Sequence, residues 1–228
     1  MPDIVLIAHG SPDPRHARDV EALTDAVRSR VRAGRAVGTC YLDHHEPSAD
    51  TLALELSGRA VAVPLLLTPA YHSRVDVPQA VERLRVGGAD VRLAPTLGPD
   101  QRLLDACIEL LAADGQQADP DTAVVLFAAG SSDSAAVATV SETIDSAPRQ
   151  GWGTWDVAAL DGGQAVEDVV ARLQRGHERV LAVSFMVAEG ILRDRMDDRC
   201  ASLGVRMVPG ALARTSVLAD LVVARTLG

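Results

Sequence analysis

The stretch LIAHGSPD, residues 6–13, decides the fold, because a close copy of it, LFAAGSSD, stands at residues 126–133 in the second half of the chain. In each stretch an apolar run ends at a glycine and a short polar turn. Such a run, bounded by turn residues, is typical of a strand that is buried on both faces of a parallel sheet. The two copies therefore predict two similar domains that each begin with such a strand.

Helical and strand-like patterns alternate after both copies. In the first half, strand-like segments at residues 36–42, 60–67 and 89–94 alternate with amphipathic segments. The polar segment ADGQQADPD, residues 113–121, interrupts this pattern, and the same order then starts again. We therefore predict an α/β protein made of two tandem similar domains, each a parallel four-stranded sheet flanked by helices, with a cleft between them.

The two predicted domains differ at a position that matters for chemistry. Ala129 stands in the second copy where His9 stands in the first. We expect residues 1–114 to form an N-terminal domain that carries the active site, and residues 121–228 to form a degenerate repeat of the same fold. Duplication followed by loss of one site is the simplest account, and chance similarity between two parallel-sheet domains is the alternative.

The composition argues against several classes of protein. The net charge of −9 disfavours a general nucleic-acid binder, which needs a basic face. All 22 basic residues are arginine, so no lysine can form a Schiff base or serve a P-loop. The three cysteines form no C-x-x-C pair, which gives no sign of a zinc or iron–sulfur site and indicates reduced thiols. No basic leader precedes the first strand and no apolar run approaches the roughly 20 residues that span a bilayer, so we expect a cytoplasmic protein without a membrane partner.

Two histidines follow predicted strands of the first half. His9 comes directly after the first strand, and His72 lies after the third, in PLLLTPAYHSRVDVP at residues 64–78. In parallel α/β sheets, ligands bind beyond the carboxyl ends of the strands. If the first and third strands are neighbours, the two imidazoles face one crevice. A single histidine at a strand end is ordinarily no more than a polar residue in a turn. The prediction of a functional site therefore depends on the presence of two.

Imidazole side chains suit two kinds of chemistry. A neutral histidine binds first-row divalent metals, and its pKa of about 6.5 lets it accept a proton near neutral pH. Two histidines do not complete a tetrahedral structural zinc site. The pattern therefore favours an open site that handles a metal and releases it, or that binds the metal together with a substrate.

The segment DHHEPS, residues 43–48, follows the second strand and adds polar candidates. Glu46 is expected to be a metal ligand, a proton acceptor or a residue at the start of a helix. His44 and His45 are expected to be loop residues that face solvent, with one of them near the cleft as the alternative.

The turn that holds His9 allows further interpretations. Gly10 and Ser11 can present backbone N–H groups to an anion, or Ser11 can cap the next helix. A histidine phosphatase would carry an arginine directly before its catalytic histidine, where Ala8 stands here. This departure disfavours a phosphatase.

With these motifs the chain resembles the class II tetrapyrrole chelatases of the CbiX/SirB family. The matching segments are LIAHGSPDP (6–14), YLDHHEPS (41–48), VPLLLTPAYHSRVDVP (63–78) and LAPTLGPDQRLLD (93–105). They span roughly the first half of the chain, whereas the second half is similar in layout only. The resemblance implies insertion of Fe²⁺ or Co²⁺, as a substrate metal, into sirohydrochlorin, with no permanently bound cofactor.

The resemblance also implies roles for individual residues. His9 and His72 would bind the metal and act in catalysis, with Glu46 as a nearby catalytic carboxylate. The macrocycle carries many carboxylates, so the turn and the arginines near the histidines are expected to bind substrate: Gly10, Ser11, Arg15, Arg18 and Arg74. Two departures concern substrate contacts, namely Pro12 where the family often has an arginine and Tyr71 where a glycine is common.

We therefore expect a sirohydrochlorin chelatase for siroheme synthesis, with Fe²⁺ slightly favoured and the flat substrate in the cleft between the domains. Cobalt insertion for cobalamin synthesis is the alternative within this class. A carrier that binds metal or tetrapyrrole without turnover, and a hydrolase that uses His9, are the alternatives from other classes. We expect a monomer, with a homodimer as the alternative.

Overall fold

Two parallel four-stranded sheets form the framework of the computed structural model, which describes residues 3–69, 74–131, 134–145 and 150–227. The first half contains β1 (Ile4–Ala8), α1 (Pro14–Arg30), β2 (Val37–Tyr41), α2 (Ala49–Ala53), β3 (Arg59–Pro64), α3 (Asp76–Arg85), β4 (Asp90–Leu93) and α4 (Arg102–Ala113). The second half contains β5 (Thr122–Gly130), α5 (Ser134–Asp145), β6 (Trp155–Asp161), α6 (Val166–Leu173), β7 (Arg179–Phe185), α7 (Ile191–Ser202), β8 (Arg206–Met207), a 3₁₀ turn (Leu212–Arg214) and α8 (Ser216–Arg225). None of the helices in these ranges is long and apolar enough to cross a membrane.

The strand order is the same in both sheets. It is β2-β1-β3-β4 in the first sheet and β6-β5-β7-β8 in the second, with all neighbours parallel. The strand that begins each copy of the repeated sequence is therefore central, and every residue of β1 is buried. This confirms the predicted fold class and places β1 beside β3.

The third strand ends at Pro64. The sequence pattern instead predicts that it continues to residue 67. The N–H of Leu65 donates to the carbonyl of Ile7 in β1 at 2.8 Å, so the preceding residue directs its backbone nitrogen toward β4. The pairing of β3 with β4 ends at Ala62. The missing N–H of proline therefore breaks no hydrogen bond of the sheet, which explains why it is tolerated next to a central strand.

The two halves share one hydrophobic cluster, and each half also has a cluster of its own. The last helix of the first half, α4, contacts β7, α5 and α8 of the second half, and α1 also contacts α8. Buried side chains from both halves belong to a single cluster that includes Leu6, Leu104, Leu126 and Leu221. A large apolar interface of this kind holds two domains in a fixed relation.

The cysteines are residues of the protein interior. Cys40, Cys107 and Cys200 are all free and buried. Burial raises the pKa of the Cys40 and Cys200 thiols to about 12. Because the thiolate is the form that binds metals and attacks electrophiles, these buried thiols are poor candidates for either role.

The buried carboxylate of Asp19 ties α1 to the second half. Its oxygens accept hydrogen bonds from the backbone N–H of Glu189 at 2.8 Å and from Nε of Arg214 at 2.6 Å. The residue has no exposed surface. Hydrogen bonds to an ionised acceptor are stronger than neutral ones, so Asp19 fixes the loop before α7 against α1.

Replacing Asp19 with alanine is expected to lower the free energy of unfolding by about 2–4 kcal/mol, because the Glu189 N–H and the Arg214 guanidinium lose their acceptor. Denaturant titration would measure the loss. The control is Asp220→Ala, which removes an exposed carboxylate 2.8 Å from Arg30 and should cost less than about 1 kcal/mol. An equal loss in both variants would contradict a stabilising role for the buried contact.

Candidate active site

A cavity of about 510 Å³ lies between the carboxyl ends of the two sheets. Its first wall comes from the end of β1, the turn after it, and residues 65–68 that follow β3. The second wall comes from the ends of β5, β6 and β7 and from the first turn of α7. Apolar side chains such as Val140, Val157 and Phe185 line much of it. The volume falls within the range of about 300–1,000 Å³ that is typical of small-molecule sites.

His9 lines this cavity directly after β1, at the carboxyl end of the central strand. Its carbonyl accepts a hydrogen bond from the N–H of Asp43 at 2.9 Å, which joins the turn to the end of β2. His72, the second predicted histidine, falls within residues 70–73, outside the described residues. Its pairing with His9 stays a prediction.

A second imidazole in the cavity wall belongs to His16, which the sequence analysis did not single out. It lies in the first turn of α1, and its Nδ1 is buried without a hydrogen-bond partner in the part of the chain that the structure describes. Its ring lies 6.5 Å from that of Tyr41. Burial, followed by the charges of His45 and His9, lowers the pKa of His16. The lowered pKa favours a neutral imidazole, the form that can accept a metal or a proton.

The loop after β2 contributes a third histidine to the cavity. His44 lines it, and its Nε2 lies 3.3 Å from Oδ2 of Asp43. His45 instead packs against Tyr41, with ring centroids 5.2 Å apart, and is only partly exposed. His44 is exposed, as expected, and it also lies at the cleft, which is the alternative that the sequence left open.

Three imidazoles thus share one wall of the cavity, those of His9, His16 and His44. Within the described ranges, no group of three or more His, Cys, Asp or Glu side chains is arranged as a metal site. A role of these imidazoles in binding a metal therefore stays a prediction.

Gly10 holds the turn after β1 in place by its lack of a side chain. Its φ is +93°, and an ideal Cβ would lie 1.8 Å from the carbonyl oxygen of Asp43. Gly130 occupies the same place in the second half, with a φ of +88° and an ideal Cβ 1.7 Å from the carbonyl oxygen of Asp161. The repeated glycine therefore preserves a close crossing of two chain segments, and a role of Gly10 in substrate binding stays a prediction.

Ser11 lines the cavity next to His9. Its Oγ accepts a hydrogen bond from the N–H of Asp13 at 3.2 Å. The cap of α1 is Asp13 itself, whose carboxylate accepts the N–H of Arg15. Ser11 therefore stabilises the turn before the helix, and its contact with substrate stays a prediction.

Glu46 is exposed at the start of α2 and is not among the described residues that line the cavity. Its Oε2 accepts the N–H of Ser48 at 2.6 Å. This hydrogen bond, followed by one from the Thr51 side chain, lowers the pKa of Glu46. Of the roles that the sequence left open, the structure shows the one at a helix start, and a catalytic role stays a prediction.

Arg15 connects the two halves at the edge of the cavity without lining it. Its guanidinium donates to Asp13 and, at 3.0 and 2.5 Å, to both carboxylate oxygens of Asp194 in α7. The hydrogen bonds from the side chain and backbone of Arg15 lower the pKa of Asp13 to about 2. Arg18 and Arg74 are exposed, and the proposed contacts of these three arginines with substrate stay predictions.

An arginine from the second half does line the cavity. Arg193, in the first turn of α7, is only 8% exposed. Its Nη2 donates to the carbonyl of Val208 at 3.0 Å and its Nη1 to Asp197 at 3.3 Å, whereas its Nε is buried without a partner among the described residues. No other arginine is among the cavity-lining residues that the structure describes.

The N-terminal half of the chain is similar in sequence to a known family. Residues 3–113 match the family model described as CbiX. A sirohydrochlorin cobaltochelatase from Priestia megaterium is 26% identical over 142 residues, which are 58% of this chain and 46% of the relative. A sirohydrochlorin ferrochelatase from the same organism is 25% identical over 141 residues, 59% of this chain and 53% of the relative. The match thus spans about half the length of each relative.

The fold is similar to a solved structure along its whole length. SirB from Bacillus subtilis with Fe³⁺ gives a TM-score of 0.82 at 18% sequence identity. The match covers 100% of this chain and 95% of that one. At this identity the likeness shows a shared fold and no more.

Proposed function

Because the chain belongs, through residues 3–113, to the CbiX family, we propose that it is a sirohydrochlorin chelatase, which inserts a divalent metal into the tetrapyrrole. The metal is a substrate in this reaction and not a bound cofactor. Residues 1–114 would carry the histidines, and residues 121–228 would supply the opposite wall of the cleft. Fe²⁺ for siroheme synthesis is placed slightly ahead of Co²⁺.

The observation that supports this proposal most strongly is the position of His9 on the wall of a largely apolar cavity between the two sheets. A tetrapyrrole is a flat ring with apolar faces, so it fits a slot between two walls. The metal must approach the centre of the ring from one face. Imidazoles on a single wall are placed to deliver it from that side.

The chemistry of insertion matches what these imidazoles can do. The metal must exchange water for other ligands, and the pyrrole N–H protons must leave as it enters the ring. We propose that His9 and His72 bind the metal, since neutral imidazole is a good donor to first-row divalent ions. The partly buried His16 has a lowered pKa, which keeps its imidazole neutral and able to accept a proton that leaves the ring.

A pair of variants tests which carboxylate assists the histidines. Glu46 is the candidate from the family resemblance, whereas Asp43 contacts His44, a residue of the cavity wall. We expect Asp43→Asn to slow insertion about tenfold, because the variant lacks the carboxylate whose Oδ2 lies 3.3 Å from Nε2 of His44 and orients its ring. Glu46→Gln should act mainly on stability, because it weakens the hydrogen bond from Ser48. The insertion rates and melting temperatures of both variants show which carboxylate assists the histidines. If only Glu46→Gln slowed insertion, Asp43 would be excluded from this role.

The choice of metal needs its own experiment, because imidazoles accept both Fe²⁺ and Co²⁺. Anaerobic insertion into sirohydrochlorin can be followed by absorbance with each metal in turn. We expect both metals to be inserted faster than in the absence of protein, with a larger kcat/KM for Fe²⁺. A larger value for Co²⁺ would assign the enzyme to cobalt. Rates no faster than the protein-free reaction with either metal would refute the chelatase proposal.

A further inference from the structure

Arg193 is a buried cation in the cavity wall that the second half supplies. Arg193 is only 8% exposed. A guanidinium is costly to remove from water unless it is paired. Of its five N–H groups, only two hydrogen bonds are made to described residues, one to a backbone carbonyl and one to Asp197. The Asp197 side chain is itself 49% exposed. Arg193 therefore has donor capacity and positive charge that the described protein groups do not fully use.

The surroundings of Arg193 favour an anion at the same place. The backbone from Gly190 to Arg193 forms the first turn of α7, a helix of 12 residues, and lines the cavity. The residue at its N-cap is Gly190, which has no side chain that could cap the helix. The N–H groups at the start of a helix attract negative charge. The guanidinium and the helix end therefore act in the same direction.

Apart from the half-exposed Asp197, which lies 3.3 Å from Nη1 of Arg193, two nearby carboxylates do not pair with this guanidinium. Asp194, the next residue, is bound by both oxygens to the guanidinium of Arg15. Glu189 also lines the cavity, but among the described residues no hydrogen bond or ion pair joins its carboxylate to Arg193. The contact between Arg15 and Asp194 also ties the first turn of α7 to that of α1, so Arg193 is held in a fixed relation to the turn that carries His9.

We propose that Arg193 binds a peripheral carboxylate of the macrocycle. It thereby sets how the ring lies against the histidine wall, the side of the cavity that carries His9, His16 and His44. This inference rests on the proposed chelatase function and adds a substrate-binding residue from the half that lacks the histidine. The second half would then supply recognition of the substrate's edge, while the first half supplies the groups that handle the metal.

Binding of two porphyrin probes to the intact protein tests this inference. Uroporphyrin carries carboxylates on every pyrrole, and a tetracationic N-methylpyridyl porphyrin carries none. We expect Arg193→Met to weaken uroporphyrin binding about 10-fold to 100-fold, the range for a lost charge-assisted hydrogen bond. Binding of the cationic probe should not weaken, and Arg193→Lys should keep part of the affinity for uroporphyrin. Quenching of porphyrin fluorescence gives both dissociation constants.

The ratio of the two dissociation constants, measured on one preparation, is unaffected by a partly unfolded fraction. The matched control is Arg172→Met, which removes an arginine paired with Asp156 at 2.5 Å outside the cavity, and its ratio should equal that of the wild type. A wild-type ratio in Arg193→Met would overturn the inference and leave the chelatase proposal standing. A wild-type protein that binds no uroporphyrin would overturn the inference together with the proposed substrate class.

Discussion

Replacing His9 with alanine is expected to reduce kcat for metal insertion by about two to three orders of magnitude, with little change in melting temperature. The rate should fall because the variant lacks the imidazole that we propose binds the metal beside the ring, and a positioned acid–base group alone contributes about 10²–10⁴-fold. Stability should change little, because His9 is exposed and lies outside the core clusters. Stopped-flow absorbance under anaerobic conditions measures the rate.

A histidine outside the cleft provides the control for this variant. His177, which does not line the cavity, has an Nε2 that lies 2.9 Å from Oγ1 of Thr154. His177→Ala should therefore insert metal at the wild-type rate. His16→Ala should fall between the two, with a loss of about tenfold if a second imidazole accepts protons. If His9→Ala inserted metal at the wild-type rate, the proposed role of the histidine wall in the mechanism would be refuted.

Replacing Gly10 with alanine is expected to lower the free energy of unfolding by more than about 3 kcal/mol and to abolish insertion. The added Cβ would lie 1.8 Å from the carbonyl oxygen of Asp43, at a φ of +93°. Neither backbone segment can keep its position, so the turn that presents His9 must move. Denaturant titration measures the stability, and the insertion assay measures the effect on the site.

Two other glycines separate the causes of this loss. Gly34 has a φ of +92° but no atom within 4 Å of an ideal Cβ, so Gly34→Ala should cost only the conformational term of about 1–2 kcal/mol. Gly130→Ala repeats the backbone clash, at 1.7 Å from Asp161, in the other half. It should destabilise as much as Gly10→Ala while leaving the turn of His9 intact. Equal losses in Gly10→Ala and Gly34→Ala would contradict the steric account.

The fold and the position of His9 follow from the sequence because both depend on local pattern. A buried apolar run that ends at a glycine turn predicts a central strand, and parallel strands bring their carboxyl ends to one edge. Pro64 shows where pattern alone misleads. The apolar run continues to residue 67. The strand nevertheless ends at the proline, where its pairing with the shorter strand β1 ends.

His16 could have been found from the same kind of pattern. It stands four residues before Val20, so it extends the buried face of α1 by one turn toward the cleft. A polar residue in line with an apolar helix face is a signal for a site at the end of that face. The apolar residues that mark this face in the sequence begin only at Val20, so His16 did not stand out.

Arg193 and the partners of Arg15 could not be found in this way, because their roles depend on how the two halves pack. Arg15 and Asp194 are 179 positions apart in sequence, and neither segment alone indicates that they meet. The sequence of the second half predicts only a degenerate repeat of the first, and nothing in it marks α7 as part of a site. The alanine at position 129, where the first half has His9, says nothing about the rest of that wall.

The central claim is that the protein turns over its substrates at the histidine wall of the cleft. The most direct test is the amount of metallated product formed with sirohydrochlorin and Fe²⁺ in large excess over protein, under anaerobic conditions, with His9→Ala as the baseline. The account predicts product that exceeds the protein many times over, formed well above the rates of His9→Ala and of the protein-free reaction. Product that stops at one equivalent of protein, or that forms equally fast with His9→Ala, would contradict it, and tight binding without turnover would identify a carrier.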